Sequence, residues 1–416
     1  MKILFSTASV CPVCRQRVPA AYIMPEKKLV QLKQVCPAHG SRVTDVWRGE
    51  SFLEWCGGWR PDSDHHPDCP SECGLCGKHR NQTCCGLLNI TERCNLGCPY
   101  CFADNGKGAD LSFEKVCRNL DEMFEKGIRF LHVSGGEPTL HPKLSEIISY
   151  AAQKGFYYIQ LNTNGIRIAE DARYTKTLAD AGLSSVFLQF DGLTDEIYLR
   201  TRNAKLLDVK KRAVQYCEQA ELGVVLVPTI VPGINDTEIG NIIRYAYRHA
   251  PTVRGVHFQP VTYTGRYAKG EHFTMPQILE AIEEQTNGFV KRKDFQPSSC
   301  DAPLCGFHAE YKRERGQLAV LGFQEGGCCN GAGSDLVRNQ LHVKNRWTRV
   351  KSGDYREGSF AAYKKEMSDS SFFISGMLFQ DAENIDLGRV MNCSLHVFHD
   401  GKVIPFCIYY NHLGEK

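Results

Sequence analysis

Six short apolar segments recur through the middle of this 416-residue chain. Between them lie helix-length segments, such as 112–126 and 143–154, in which apolar residues recur every three or four positions. Ser112 is a suitable N-cap for the first of these helices. Strands that alternate with helices predict a parallel sheet with right-handed crossovers. The predicted strands are 85–90, 130–134, 158–162, 185–190, 223–230 and 255–259.

The predicted fold class is α/β, since six strand–helix units in roughly 200 residues suit a partial (β/α)6 barrel. We divide the chain into a cysteine-rich region at residues 1–82, the barrel at 83–290 and a second cysteine-rich region at 291–416. In such barrels the active site lies at the carboxyl ends of the strands. We therefore expect functional residues directly after each strand.

Charge and cysteine content narrow the class of protein. Lys plus Arg number 50 and Asp plus Glu number 47, a near balance that gives no reason to expect nucleic acid or an anionic membrane as a partner. No apolar stretch is long enough for a transmembrane helix. The 20 cysteines cluster in C-x2-C and C-x3-C groups, which indicates metal binding in a reducing compartment. We expect a cytoplasmic protein.

Three cysteines follow the first predicted strand with the spacing C-x3-C-x2-C, namely Cys94, Cys98 and Cys101. A [4Fe–4S] cluster is usually held by four thiolates. Three thiolates leave one iron with an open coordination position, and open positions are where metal centres do chemistry, as at catalytic zinc. The alternative is a zinc knuckle or part of a four-cysteine structural cluster. The motifs downstream favour the open cluster.

This motif resembles the signature of the radical S-adenosylmethionine (SAM) enzymes. The second predicted strand ends in residues 135–138, Gly-Gly-Glu-Pro, which is similar to a motif that binds the SAM amino group in that family. The glycines allow close backbone approach to a ligand. The resemblance implies that SAM chelates the open iron and is cleaved to a 5′-deoxyadenosyl radical after one-electron reduction. It implies SAM-binding roles for Tyr100, Gly135, Gly136, Glu137, Asn162 and Gln189.

A separate mononuclear metal site is predicted near the amino terminus. Its candidate ligands flank a strand-like segment at 30–34 and have the spacing C-x2-C…C-x2-H. Zinc is the usual metal for mixed sulfur and nitrogen ligands. Rubredoxin-like iron is the alternative and would favour a fourth thiolate, such as Cys56. The predicted ligands are Cys11, Cys14, Cys36 and His39.

Further cysteines predict one or two auxiliary [4Fe–4S] clusters, with zinc as the alternative. The first group lies just before the barrel and comprises Cys69, Cys73, Cys76 and one of the adjacent Cys84 and Cys85. The second lies in the carboxyl-terminal region and comprises Cys300, Cys305, Cys329, Cys393 and Cys407. Asp400-Gly401 predicts a hairpin in which Cys393 and Cys407 would point to opposite faces. Both can bind one cluster only if the register breaks, and Pro405 favours such a break.

With its cysteine-rich extensions, the chain resembles one branch of the family, the multi-cluster radical SAM proteins. This branch includes archaeal tetraether synthase and the radical SAM (seleno)protein family, of which the TrsS proteins are the most similar. This resemblance implies hydrogen abstraction from an unactivated carbon and carbon–carbon bond formation on a lipid-like substrate. The chain departs from that pattern at Cys85, at Cys328-Cys329 and at His39. These departures leave the number of clusters and the substrate open.

The sequence is compatible with other functions. They are modification of a peptide, insertion of sulfur from an auxiliary cluster, and a zinc-rich interaction protein without enzymatic activity. The expected partners of an enzyme are SAM, a reductant such as flavodoxin or ferredoxin, and a small-molecule, lipid or peptide substrate. No side chain is identified as catalytic, although Tyr263, Tyr267 and Cys305 are candidates for radical quenching or proton transfer.

Overall fold

The computed structural model describes residues 2–61, 69–70, 75–102, 107–265, 270–298, 300–321, 334–353 and 355–413. Predicted ligands Cys73 and Cys329, and the candidate Tyr267, lie outside these residues. The strands are β1 (Lys2–Val10), β2 (Arg17–Glu26), β3 (Leu29–Cys36), β4 (Gly40–Arg48), β5 (Cys85–Arg93), β6 (Lys107–Asp110), β7 (Phe130–Gly135), β8 (Tyr158–Thr163), β9 (Ser185–Gln189), β10 (Gly223–Val227), β11 (Thr229–Ile230), β12 (Val253–Pro260), β13 (Gln296–Pro297), β14 (Gly306–Glu314), β15 (Gln317–Val320), β16 (Ser371–Met377), β17 (Leu395–His399) and β18 (Lys402–Pro405).

The helices lie mainly between the strands of the barrel. They are α1 (Phe52–Trp55), α2 (Phe113–Glu125), α3 (Leu144–Lys154), α4 (Ile166–Glu170), α5 (Ala172–Asp180), α6 (Asp195–Arg202), α7 (Leu207–Gln219), α8 (Ile239–Arg248), α9 (Met275–Gln285), α10 (Ser334–Trp347), α11 (Phe360–Ser370), α12 (Leu387–Val390) and α13 (Phe406–Tyr410). Within the described chain, no helix combines the length and apolar character needed to cross a bilayer.

The first four strands form an antiparallel sheet of their own in the order β1-β2-β3-β4. Along β3, buried residues alternate with more exposed ones, so that Val30, Leu32 and Cys36 share one face. Tyr22 and Trp47 add aromatic rings to the buried side of this sheet. Apart from Cys36, these residues belong to the same hydrophobic core as the barrel strands. The predicted metal ligands lie in and beside the loops after β1 and β3.

The barrel sheet contains the six predicted strands as parallel neighbours, β5, β7, β8, β9, β10 and β12, in chain order. The predicted α/β fold with a partial parallel barrel is confirmed. The segment predicted as one strand at 223–230 is divided into β10 and β11 at Pro228, which has no N–H to donate to a neighbouring strand. Helix α2 begins after Ser112, whose side chain accepts a hydrogen bond from Lys115 N, as its N-cap prediction requires.

The carboxyl-terminal region extends this sheet on both sides. β16 pairs in parallel with β12, and β17 pairs in parallel with β5. Antiparallel β14 and β18 follow outside them. The eight parallel strands β5, β7, β8, β9, β10, β12, β16 and β17 therefore surround one cavity, whose lining residues lie between Cys84 and Phe406 in the chain.

Candidate active site

The three cysteines of the C-x3-C-x2-C motif lie on the loop after β5 and line a cavity of about 440 Å³ inside the barrel. All three are free thiols and are half-buried. Burial, with Glu137 and the other two thiols nearby, raises the pKa of Cys94 to about 11. Bound metal cations would reverse this effect, because they stabilise thiolates. The three thiols thus suit an iron cluster that faces the cavity.

Two asparagine side chains hold this loop in place. Asn203 Nδ2 donates a hydrogen bond of 2.7 Å to Gly97 O. Asn164 Nδ2 donates one of 2.7 Å to Asn95 Oδ1. Asn164 follows β8 and Asn203 follows helix α6, so the cluster loop is attached to the ends of these two elements.

Gly135 and Gly136 lie against the backbone that leads into the cluster loop. A Cβ atom on Gly135 would lie 2.2 Å from Thr91 O, and one on Gly136 would lie 2.2 Å from Arg93 O. Gly135 also has a φ of 136°, which disfavours other residues. Both glycines line the cavity. These glycines therefore allow β7 to pack closely against β5. The sequence suggests only that they allow close approach of a ligand.

Glu137 connects the ends of β7 and β8. Its Oε1 accepts hydrogen bonds from Thr139 N, Thr139 Oγ1 and Thr163 Oγ1, at 3.1, 2.6 and 2.6 Å. Its Oε2 accepts one hydrogen bond, of 2.7 Å, from Asn164 N. Because a carboxylate oxygen has two lone pairs, Oε2 retains one for a further donor such as an ammonium group. The side chain lines the cavity in a fixed orientation.

Asn162 and Gln189 both present amide groups to the cavity. Asn162 Oδ1 accepts a hydrogen bond of 2.9 Å from Gln160, which leaves its amide nitrogen directed at no described protein group. Gln189 Oε1 accepts one of 2.7 Å from Lys210. Gln189 Nε2 is buried and has no hydrogen-bond partner among the described residues, although it lies near the Asp191 carboxylate.

Arg202 is a site residue that the sequence did not single out. Its guanidinium forms a bidentate pair with the fully buried Asp191, at 2.6 and 3.0 Å, and donates to Thr229 Oγ1 at 2.9 Å. It also lies beside the Cys98 thiol. Although burial alone would raise the pKa of Asp191, Arg202 holds that pKa below its usual value. The pair places a permanent cation at the cavity wall next to the cluster loop.

Tyr100 packs in a small apolar cluster with Val231, Val261 and Tyr263 at the ends of β11 and β12. Its position at the cavity wall suits contact with a flat ring. This apolar surface suits the SAM-binding role that the resemblance implies for Tyr100.

The donor set of this site fits SAM and a three-thiolate cluster. It combines three free thiols, a carboxylate with a spare lone pair, two side-chain amides at the cavity wall and a buried guanidinium. A family model described as the radical SAM superfamily matches residues 88–246. The 7,8-dihydro-6-hydroxymethylpterin dimethyltransferase of Methanocaldococcus jannaschii is 32% identical over 476 aligned positions, which cover 97% of this chain and 92% of that protein. The chain belongs to the radical SAM superfamily.

Other relatives of this radical SAM chain share less of it. A GTP 3′,8-cyclase of Listeria monocytogenes is 28% identical over 47% of this chain and 60% of its own. A crystal structure of Streptococcus suis SuiB bound to its precursor peptide SuiA is 15% identical, with a TM-score of 0.44, and covers 51% of this chain and 48% of that one. The general resemblance to the superfamily is confirmed, and the narrower one to tetraether synthase and TrsS stays a prediction.

The predicted mononuclear site is assembled at the end of the amino-terminal sheet. The ligand atoms of Cys11, Cys14, Cys36 and His39 all lie within 4.8 Å of one another. His39 Nδ1 lies 3.6 Å from the Cys11 sulfur and 3.4 Å from the Cys36 sulfur. A second family model, the HMPTM N-terminal zinc ribbon domain, matches residues 3–48, which favours zinc. Cys56 is buried in a hydrophobic core and is not part of this group.

The predicted auxiliary group before the barrel is only partly described. Cys69 and Cys76 lie near each other, and burial raises the pKa of Cys69 to about 11. Cys84 instead lines the barrel cavity together with its neighbour Cys85. The structure thus places two described thiols of this group together and one at the cavity wall.

Three thiols of the carboxyl-terminal group, those of Cys305, Cys393 and Cys407, interact electrostatically. The hairpin predicted from Asp400-Gly401 is present, and β18 ends at Pro405, so Cys407 lies on α13 and outside the strand register. Because Cys407 lies outside the strand, the hairpin register does not force it onto the face opposite Cys393.

Arg389 is a second residue that the sequence did not indicate. Its Nε and Nη2 lie 3.5 Å from the Cys305 sulfur. Gln380 N donates to the Cys407 sulfur at 3.3 Å. Cys300 is disulfide-bonded in this structure, so it would bind iron only after reduction. The N–H groups of Arg389 and Gln380 beside these sulfurs are of the kind that stabilises thiolates in iron–sulfur sites.

Proposed function

We propose that this radical SAM enzyme cleaves SAM reductively and uses the 5′-deoxyadenosyl radical to remove a hydrogen atom from an unactivated carbon of a substrate inside the barrel. The observation that carries the proposal is one shared cavity. The thiols of Cys94, Cys98 and Cys101 and the SAM-binding candidates Glu137, Asn162 and Gln189 all line it.

The chain's own residues supply binding and orientation. When bound, the cluster supplies one electron to SAM, which breaks a carbon–sulfur bond and releases methionine. Glu137 accepts from the SAM amino group, Arg202 faces its carboxylate, and Gln189 Nε2 donates to the ribose. Tyr100 borders the adenine. Each role uses a donor or acceptor that the described protein groups leave unfilled or hold at the cavity wall.

For the product, we propose carbon–carbon bond formation, and two substrate classes are supported by different observations. Leu87, Phe130, Val227 and Trp347 give the cavity apolar walls, which favour a lipid-like substrate. The relative named as a pterin dimethyltransferase favours methyl transfer to a heterocycle. The cavity volume of about 440 Å³ is in the usual range for a small-molecule site.

The remaining cysteines are proposed to hold one or two auxiliary [4Fe–4S] clusters, which would pass electrons between the reductant and the substrate. Cys305, Cys393 and Cys407, beside Arg389, form the better supported of the two sites. A flavodoxin or ferredoxin is the proposed reductant. A cytoplasmic location suits so many free thiols, which a reducing compartment protects.

The test is anaerobic reconstitution followed by dithionite and SAM. The wild-type protein should form 5′-deoxyadenosine, and Cys98→Ala should abolish it while the amino-terminal zinc remains. Cys117→Ala is the matched control, because Cys117 is a half-buried thiol on α2. Absence of 5′-deoxyadenosine from wild-type protein with full iron content would contradict the proposal. Deuterated substrates of the two classes then show which one transfers deuterium to the 5′-deoxyadenosine.

A further inference from the structure

Polar side chains also line the interior of the barrel, one layer below the strand ends. On β7, β8 and β12 they are those of His132, Gln160 and His257, each two residues before the end-of-strand residues Ser134, Asn162 and Gln259. His132 lies opposite Gln160 in the register of β7 and β8, and His257 lies opposite Ser375 in that of β12 and β16. We call the following residues, which all line the cavity, the middle layer: His132, Gln160, Phe187, His257 and Ser375.

Four of the five residues of the middle layer are polar, unlike the side chains that usually fill a barrel interior. Bulky branched apolar side chains usually fill such interiors. The neighbours that point outward from the same strands, Leu131, Leu161 and Val256, are apolar and fully buried. Burial of polar groups without partners costs free energy, so a polar interior layer indicates a ligand that completes its hydrogen bonds.

The hydrogen bonds of His132 fix which of its nitrogens carries the proton. Gln160 Nε2 donates to Asn162 Oδ1 at 2.9 Å and lies 3.2 Å from His132 Nδ1. Gln160 Oε1 accepts from Tyr158 at 3.3 Å. His132 Nδ1 is therefore the acceptor, and the proton of the neutral ring is on Nε2. Within the described residues, His132 Nε2 has no hydrogen-bond partner, so it offers a donor to the cavity.

His257 is arranged in a similar way. Its Nδ1 lies 2.9 Å from Ser375 Oγ, and no described group hydrogen-bonds to its Nε2. Burial lowers the pKa of His132 to about 3 and that of His257 to about 4. Both rings are neutral at physiological pH and suit an uncharged ligand.

Aromatic rings and paired charges surround these histidines. The centroid of the Phe187 ring lies 5.8 Å from that of His132 and 5.8 Å from that of His257. Trp347 packs edge-on against Phe187, with centroids 6.0 Å apart. The nearby Arg346 guanidinium forms an ion pair with Glu310. The site therefore offers ring faces and neutral hydrogen-bonding groups.

We propose that the middle layer binds a neutral, planar nitrogen heterocycle of the substrate, with acceptors and donors facing His132 Nε2 and His257 Nε2 and its ring against Phe187. This inference rests on the proposed function, because it places the substrate beside the site where the radical forms. It favours the heterocyclic substrate class over a purely apolar chain, which would leave both imidazole nitrogens unpaired.

Binding of 7,8-dihydro-6-hydroxymethylpterin tests the inference. Anaerobic, cluster-loaded protein with SAM is titrated by calorimetry, and phytol is the apolar comparison. We expect His132→Leu and His257→Leu each to weaken pterin binding at least tenfold. His132→Gln should recover part of the affinity, because its amide keeps a donor. His399→Leu, a partly exposed histidine at the end of β17, should bind as the wild type does.

Three outcomes would overturn the inference: no pterin binding by wild-type protein, equal affinity in the wild type and both leucine variants, or stronger binding of phytol than of pterin. Near-UV circular dichroism checks the fold of each variant, and His257→Asn replaces a leucine variant that does not fold. Formation of 5′-deoxyadenosine by wild-type protein is measured separately, so failure of the proposed function and failure of pterin recognition are distinguishable.

Discussion

The ammonium group of Lys210 donates a hydrogen bond of 2.7 Å to Gln189 Oε1 and another to Asn164 O. Lys210 is fully buried on α7 and lies behind two strand ends of the SAM site. It fixes the Gln189 amide so that Nε2 points away from the lysine. A buried amine thus orients the amide of a proposed SAM-binding residue.

This position predicts a pH dependence of stability. Burial, only partly offset by Asp191, lowers the pKa of Lys210 from 10.5 to about 7. Between these values the unfolded chain binds more protons than the folded one, so the free energy of unfolding rises with pH. The slope from one such group approaches about 1.4 kcal/mol per pH unit. Below about pH 7 both states are protonated and the slope vanishes.

The measurement is urea denaturation of metal-free wild-type protein and Lys210→Met from pH 6 to 10. Titration of the many cysteines affects both proteins, so the difference between the two unfolding free energies isolates Lys210. That difference should grow in favour of the wild type as pH rises above about 7. Parallel curves across the whole range would show that Lys210 is not the titrating group.

A second prediction concerns the contact between the Gly-Gly-Glu-Pro loop and the cluster loop. In Gly136→Ala the new Cβ would lie 2.2 Å from Arg93 O, and this neighbour is backbone that cannot rotate away. Overpacking of this kind typically costs about 1–3 kcal/mol and shifts the backbone. We expect lower iron content at the SAM cluster and slower 5′-deoxyadenosine formation.

Gly97→Ala provides the matched control for this variant. Gly97 lies within the cluster motif, yet a Cβ there would meet nothing within 4 Å. Iron content, measured by absorbance near 400 nm and by metal analysis, should fall in Gly136→Ala only. Equal loss in both variants would mean that the loop tolerates no side chain at all, whatever its packing.

A third prediction follows from the ion pair of Arg202 and Asp191. Arg202→Met leaves the Asp191 carboxylate buried without its cation, which typically destabilises a protein by roughly 3–5 kcal/mol. Asp191→Asn combined with Arg202→Met should recover part of this loss, because no unpaired charge remains. The exposed Arg200, two residues earlier on α6, is the control, and its change to Met should alter stability by less than about 0.5 kcal/mol.

Denaturant unfolding of the three variants and the wild type tests this pair. If the double variant were less stable than Arg202→Met, Asp191 would have some role other than holding the arginine. SAM affinity should fall in both Arg202→Met proteins, since neither retains the cation at the cavity wall.

The sequence predicts the elements of the barrel because their signals are local. Apolar strand segments, the Ser112 cap and the turn at Asp400-Gly401 each depend on a few neighbouring residues. The pairing of β16 and β17 with the two sides of the barrel depends on contacts between distant segments. No short sequence pattern reports such contacts, so the sequence does not predict this pairing.

The same limit applies to the site. The cysteines of the cluster and ribbon motifs have diagnostic spacings, and the structure brings each set together. Lys210 is followed by Lys211 and Arg212, and the sequence does not show which of the three points inward. Arg202 and Arg389 are equally ordinary until their partners, Asp191 and Cys305, are placed beside them by the fold.

A final prediction concerns how the zinc-ribbon sheet is attached to the carboxyl-terminal region. Tyr22 on β2 donates a hydrogen bond of 2.6 Å to Asp386 Oδ2, and both side chains are fully buried. Asp386 Oδ1 accepts from Thr7 and Gly388 N, so Oδ2 depends on the tyrosine. Tyr22→Phe would leave a buried carboxylate oxygen unpaired, which typically costs about 1–3 kcal/mol.

We therefore expect Tyr22→Phe to unfold at lower denaturant concentration while it still binds zinc, because Tyr22 is not among the metal ligands. Tyr157→Phe, at an exposed tyrosine before β8, should leave the transition unchanged. The Tyr22 hydroxyl also anchors the segment that carries Arg389, three residues after Asp386. Arg389 lies beside the Cys305 thiol. If that segment positions the thiols, Tyr22→Phe should lower the iron content of the auxiliary site more than that of the SAM cluster. Equal iron content in both proteins would show that the ribbon contact stabilises the fold without ordering the auxiliary thiols.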